Sequence, residues 1–301
     1  MANHETASNQ PAATPVYKRL GNVELRLHIF HAHAAGAGPK PCIVLFFGGG
    51  FVGGDPGQFY PHCQYFSGRG MEAMAAEYRI KSKHGVAPYE CVADAKSAIR
   101  WVRRNAEELG IDPDRIVAGG GSAGGHLAAA TGTLPGFDEP AEDPAVSARP
   151  NALVLFNPVY DNGPEAYGHE RVKDRWREFS PLHNISAETP PTIVFMGTED
   201  RLTPVETCKR FRDRMREEGV RSDLWVYEGH GHGFFNFADG RNPAYYATVY
   251  AADRFLASLG FLQGLPSISN RCDAAGGINL SAPLAWHEIE SARGRTSPQK
   301  S

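Results

Sequence analysis

Strand-like and helix-like patterns alternate along the middle of the chain. Apolar or alternating runs fall at Val23–Phe30, Ile43–Phe47, Glu72–Tyr78, Arg115–Ala118, Leu153–Phe156, Thr192–Met196 and Asp223–Tyr227. Between them the period lengthens to that of a helix. In Cys91–Leu109 the residues Val92, Ala95, Ile99, Val102 and Ala106 line one face. Further helical stretches follow Ser122 and occupy Val205–Glu218 and Tyr245–Leu262. Gly110 stops the long helix, and Asp112-Pro113 makes a turn into the next strand. Short buried strands alternating with helices predict a parallel sheet covered on both faces. One α/β domain, with any cap made from insertions, accounts for the pattern, and no internal repeat is present.

The two ends differ from this body. Residues 1–15 are rich in Ala, Asn, Thr and Pro, too polar to bury much apolar area, and are expected to be disordered or extended. The folded body is expected over residues 16–263. Residues 264–301 are rich in Gly, Ser and Ala, with Trp286 as their one aromatic. That extension is expected either to drape over the body or to form a short element around Ala285–Ile289.

Composition narrows the classes. A chain of 301 residues, 42% hydrophobic, can build a full core without a disulfide or metal staple. Its net charge of -3 argues against a nucleic-acid partner, which would need a basic face. The polar N-terminus lacks a signal-peptide core, and no apolar run reaches the roughly 18 residues of a membrane span. The five scattered cysteines form no CxxC pair, so free thiols in a reducing compartment are expected. A cytoplasmic protein without membrane association follows as the expectation.

Chemistry enters with Gly119-Gly-Gly-Ser122-Ala-Gly-Gly125, which holds a GxSxG pattern between a strand and a helix-competent segment. Such a turn forces strain on the serine, so its neighbours must be glycine or alanine, and it lifts the hydroxyl clear of the sheet. Neither a dinucleotide loop nor a P-loop fits, since GxGxxG spacing and a terminal Lys are both lacking. Upstream, Gly48, Gly49 and Gly50 follow an apolar strand, where bare backbone can aim N–H groups at an oxyanion. The amides of Gly49, Gly50 and Ala123 are the candidate oxyanion hole.

A serine needs a base. Of twelve histidines, His230 and His232 follow the last predicted strand, where the chain order serine, acid, histidine places the base. His126 sits on the helix behind the serine and should point away from its hydroxyl. The pair His31-x-His33 lacks a third ligand, so no metal site is read there. The orienting acid should follow Thr192–Met196: Asp200 is the candidate and Glu199 the alternative. A cap for the segment beginning near Pro204 is the structural alternative for Asp200, a role that Thr203 could equally fill.

Together these segments resemble the α/β-hydrolase esterases of the acetyl esterase, acetylxylan esterase and hormone-sensitive-lipase-like group. The resemblance runs from about Val16 to Pro266. It is carried by Phe47-Gly-Gly-Gly-Phe51, Asp94-Ala-x-x-Ala98-x-x-Trp101-Val102, Leu109-Gly-Ile-Asp-Pro-x-Arg115-Ile116, Gly121-Ser-Ala-Gly-Gly125, Gly197-x-x-Asp200-x-x-x-Pro204 and His232-Gly-Phe234. It implies an α/β-hydrolase fold with a mostly parallel twisted sheet of about eight strands, flanked by helices on both faces. It selects His232 over His230 and implies a Ser122–His232–Asp200 triad, an acyl-enzyme route and no cofactor. Phe47 stands where many relatives have histidine before the glycines, which places the chain nearer the acetyl esterase-like branch.

The implied partner is a small ester, with the chain a monomer or homodimer. By chain order Phe51, Tyr65, Asn157, Tyr160, Tyr167 and Phe234 are near the site, and aromatics with polar tips suit sugar or aryl faces. A short acyl group on a carbohydrate or small alcohol is the expected substrate. Aryl or feruloyl-type esters, amides, and a non-catalytic ligand-binding role are the alternatives.

Overall fold

The computed structural model describes residues 10–33, 38–238 and 241–281. Among the described residues nine strands form one sheet in the order β1-β2-β4-β3-β5-β6-β7-β8-β9. They are Val16–Leu20 (β1), Val23–Phe30 (β2), Lys40–Phe46 (β3), Glu72–Ala76 (β4), Ile111–Gly121 (β5), Ala152–Phe156 (β6), Thr192–Gly197 (β7), Ser222–Tyr227 (β8) and Gly277–Asn279 (β9). Strands β4, β3, β5, β6, β7 and β8 run parallel, while β1, β2 and β9 pair antiparallel at the two edges.

Sequence explains this division. In β4, β6 and β7 every residue is buried, as strands covered on both faces require. In β2 and β8 burial partly alternates, the mark of strands nearer an edge. The helices are Tyr60–Gly68 (α1), Lys81–His84 (α2), Pro88–Arg104 (α3), Ala123–Thr133 (α4), His169–Val172 (α5), Trp176–Phe179 (α6), Val205–Glu217 (α7) and Pro243–Ser258 (α8). Pro88 opens α3, where a missing N–H does no harm. Asn242 caps α8 by accepting from the Ala244 N–H at 3.1 Å.

The structure adds to the sequence reading at several places. Val16–Leu20 forms β1, a strand absent from the predicted series. The segment Ala12–Pro15 is extended along β2, with Ala12 N–H on the Ile29 carbonyl at 2.7 Å. The Asp112-Pro113 turn lies inside β5, as an irregularity between the pairs Lys40–Ile111 and Cys42–Ile116, with the Asp114 N–H on Asp112 Oδ1 at 2.9 Å. The extension beyond residue 263 contributes β9, which pairs with β8 over Trp225–Tyr227. The expected element around Ala285–Ile289 lies outside the described residues.

One charged knot is buried beneath α3. Asp94, wholly buried, accepts from Lys18 Nζ at 2.7 Å and from Arg79 Nε and Nη2 at 2.8 Å each. Without Asp94 the Arg79 guanidinium loses its carboxylate, and buried Lys18 keeps only Glu139, at 2.8 Å. Asp94→Ala should therefore lower unfolding free energy by about 3–5 kcal/mol. Urea titration checks this, and a loss below about 1 kcal/mol, the worth of an exposed pair, would contradict the account.

Candidate active site

The serine turn joins β5 to α4. Ser122 has φ 56° and ψ −120°, far from the ordinary regions for an L residue. The turn is held because the Ser122 N–H donates to the Phe156 carbonyl and the His126 N–H to the Ser122 carbonyl, each at 3.0 Å. Its glycines are required sterically. A Cβ on Gly124 would stand 2.0 Å from the Phe46 carbonyl oxygen, and one on Gly121 2.3 Å from Phe235 Cζ.

Three loops at the strand ends bring the predicted residues together. Ser122 Oγ lies 2.8 Å from His232 Nε2, and His232 Nδ1 lies 2.6 Å from Asp200 Oδ2. Asp200 is buried and well supplied with donors. Its Oδ1 accepts the N–H groups of Leu202 at 2.9 Å and Thr203 at 3.0 Å, and its Oδ2 accepts the Thr203 hydroxyl at 3.1 Å. Burial by itself would raise this carboxyl. The hydrogen bonds from His232, Thr203 and Leu202 outweigh it and hold the group below the usual carboxylate range. Asp200 thus stays ionised and fixes the imidazole with its Nδ1 proton inward, so that Nε2 faces the serine.

The rival assignments separate cleanly. Glu199 is exposed, whereas Asp200 is buried against His232. His230 is turned to the carboxy-terminal extension, its Nε2 3.1 Å from the Ala275 carbonyl. No side chain caps α7, and Thr203 instead serves Asp200. His126 points away from the serine, its Nε2 3.0 Å from the Phe179 carbonyl and its ring stacked on Phe179. Burial pushes its imidazole down to about 3, which keeps it neutral. His31 pairs with Glu72 at 2.9 Å. Among the described residues no group of three or more His, Cys, Asp or Glu is placed to hold a metal.

Beside the serine runs the glycine loop after β3. A Cβ on Gly48 would lie 3.3 Å from Ser122 Cβ, so the loop passes directly over the nucleophile. The Gly48 N–H is engaged by Gln58 Oε1 at 2.7 Å. Among the described residues those of Gly49, Gly50 and Ala123 are bonded to no acceptor. Phe47 stacks on Tyr78 at 4.2 Å, and the Tyr78 hydroxyl donates to the Phe47 carbonyl at 2.8 Å.

The residues expected to touch substrate divide. Phe51, at φ 62° on the glycine loop, is buried against His126 and Phe179. Asn157, at φ 33°, supports the base: its Oδ1 accepts the Gly233 N–H at 3.1 Å, and its Nδ2 lies 3.5 Å from His232 Nε2. Tyr160 is wholly buried and stacked on Phe211 at 3.9 Å. The Tyr65 hydroxyl donates to Asp253 of α8 at 2.7 Å. Phe234 packs on Tyr227 and His230. The last three are packing residues here, because an aromatic after a strand end turns as readily into the core as into the cleft. Sequence reasoning missed the link Gln58–Asn236, 2.9 Å, which ties the glycine loop to the histidine loop. A lone Gln and Asn in loops carry no pattern that would have revealed it.

A mostly parallel sheet with a serine on a strand–turn–helix and an acid and histidine on later loops defines an α/β-hydrolase. Family models agree: residues 27–155 match BD-FAE and residues 161–263 the dienelactone hydrolase family. Among solved structures the chain is similar to Thermogutta terrifontis esterase 2, at 49% identity and a TM-score of 0.80, covering 84% of this chain and 96% of that one. That esterase is also known with propionate and butyrate bound, phosphonylated by cyclosarin and phosphorylated by paraoxon. Esterase LipC of Mycobacterium tuberculosis is 30% identical over 72% of this chain and 58% of its own length. The acetylxylan esterase of Xylanibacter ruminicola is 26% identical over 58% of this chain and 37% of its own length. The chain spans about half the length of the curated relatives it matches. It belongs to the α/β-hydrolase esterases.

The Asp200 shift has a pH signature. A carboxyl depressed on folding adds stability above its unfolded pKa of about 3.9, and that contribution fades as pH falls through the lower folded value. Relative to wild type, Asp200→Asn should lose most stability above about pH 4, with the gap closing on further acidification. Urea midpoints of both proteins from neutral to acid pH check this; a gap that widens in acid would contradict it.

Proposed function

We propose that the chain hydrolyses carboxylic esters through an acyl-enzyme on Ser122. The observation that carries this is the unbroken line from Ser122 Oγ through His232 to Asp200, with distances of 2.8 and 2.6 Å. Ser122 attacks the ester carbonyl while His232 Nε2 takes its proton, and the oxyanion rests on the N–H groups of Gly49, Gly50 and Ala123. His232 then protonates the departing alcohol. Water attacks the acyl-enzyme with His232 again as base, and the carboxylic acid leaves as Ser122 regains its proton.

Short acyl groups, acetyl among them, on carbohydrates or small alcohols form the substrate class. Propionate and butyrate in the Thermogutta esterase and the match to an acetylxylan esterase support this reading. Five cysteines, all buried and free, support a reducing cytoplasmic setting. No helix among the described residues is long and apolar enough to cross a membrane.

Ser122→Ala should abolish the burst and lower turnover of p-nitrophenyl acetate by about 10⁴-fold or more. Rates across acetyl to decanoyl esters should peak at short chains, and matched anilides should react far more slowly. Wild-type turnover in Ser122→Ala would refute the mechanism, and a peak at long chains the substrate class.

A further inference from the structure

The two glycines that carry the proposed oxyanion donors both have left-handed backbone. Gly49 has φ 123° and Gly50 φ 62°, and neither has a side chain to pack. Their orientation therefore depends on contacts made by the peptide groups around them. Gln58 holds the near side through the Gly48 N–H. The N–H groups of Val52 and Gly53 hold the middle, both on the Gly49 carbonyl at 3.0 Å. The far side is held from a distant part of the chain. Arg171, on α5 between β6 and β7, donates from Nη1 to the Gly50 carbonyl. Tyr167 stands beside it: a Cβ on Gly50 would lie 2.6 Å from the Tyr167 hydroxyl and 3.4 Å from Arg171 Nη1. The Arg171 guanidinium lies 5.3 Å from the centre of the Tyr167 ring.

This clamp is itself anchored. Buried Asn162 donates from Nδ2 to the Tyr167 carbonyl at 2.9 Å, and its N–H donates to Ser180 Oγ at 2.9 Å. His169 Nδ1 lies 2.9 Å from the Asn162 carbonyl. From α3 the Tyr89 hydroxyl donates to the Val172 carbonyl at 2.8 Å. A guanidinium seated on such a frame, its planar fork resting near an aromatic ring, can fix a carbonyl with little further loss of freedom.

We propose that Arg171, supported by Tyr167, is a positioning residue for the hydrolysis. It pins the Gly50–Phe51 peptide through the Gly50 carbonyl, which limits rotation of the adjoining glycine peptides and so keeps the N–H groups of Gly49 and Gly50 aimed at the developing oxyanion. The proposal rests on the reading of Ser122 and the glycine loop given above. Such positioning matters once negative charge has formed on the substrate oxygen, so it acts on the chemical step more than on substrate binding.

The test compares Arg171→Met, Arg171→Lys, Tyr167→Ala and the double variant Tyr167→Ala/Arg171→Met. For each, kcat and KM with p-nitrophenyl butyrate, the affinity for a trifluoromethyl ketone and Tm are measured. Arg171→Met should lower kcat by about 10- to 100-fold, short of the roughly 10²–10³-fold expected when a donor is lost outright. It should weaken the ketone, which forms a tetrahedral oxyanion, by a similar factor while KM stays within about 3-fold. Arg171→Lys should recover part of kcat. Tyr167→Ala should act in the same direction, and the double variant should lose little beyond Arg171→Met alone, as residues working as a unit do. If Arg171→Met does not fold, the same split in Arg171→Lys and Tyr167→Ala decides. An unchanged kcat, or a loss confined to KM or Tm, overturns the proposal and leaves the Ser122 mechanism standing. Activity surviving in Ser122→Ala would overturn the mechanism itself.

Discussion

Backbone crowding between the end of β3 and the start of α4 sets the geometry of the whole site. A Cβ on Gly124 would meet the carbonyl oxygens of Phe46 and Phe47 at 2.0 and 2.4 Å, and one on Gly120 would meet that of Phe46 at 2.5 Å. With glycine at both positions, the serine turn seats directly on the strand that leads into the glycine loop. Ser122 and the glycine loop are thereby placed by backbone contact, without flexible side chains between them. The strained conformation of Ser122, which costs about 1–3 kcal/mol, persists because neighbouring strands and the first turn of α4 bind its N–H and carbonyl.

His232 and Asp200 are held differently, by polar links between loops. Asn157 leaves β6 and holds the His232 loop through Gly233; Asn236 and Gln58 tie that loop to the glycine segment. Asp200 is buried but surrounded by donors, so its charge survives desolvation and orients the imidazole. Arg171 extends the pattern to the segment between β6 and β7. A rigid backbone junction surrounded by side-chain ties is what preorganised electrostatic catalysis requires.

Much of this was legible in the sequence, for physical reasons that also mark where reading stopped. Parallel central strands must be apolar throughout, so β3, β4, β6 and β7 stood out as short runs. The serine turn was legible because its crowding admits so few residue types. His232 needed the family pattern to separate it from His230, since two histidines on one loop differ in the direction they face. Strand β9 is three residues, Gly-Ile-Asn, in a Gly- and Ser-rich stretch, and exists only because the edge of β8 offers it partners. The same limit applied to Tyr65, Tyr160 and Phe234: chain order put them near the site but gave no direction for their rings. Arg171 lies in a polar segment without periodicity, and its contact with Gly50 spans 121 positions.

The central claim is that Ser122 is the nucleophile, activated by His232 and Asp200. Its most direct measurement is peptide mass spectrometry of the protein after reaction with a fluorophosphonate, read alongside remaining esterase activity. The account predicts one adduct per chain, on Ser122, with activity falling in proportion to labelling. An adduct on another residue that tracks the loss of activity, or full labelling of Ser122 with activity intact, would contradict it.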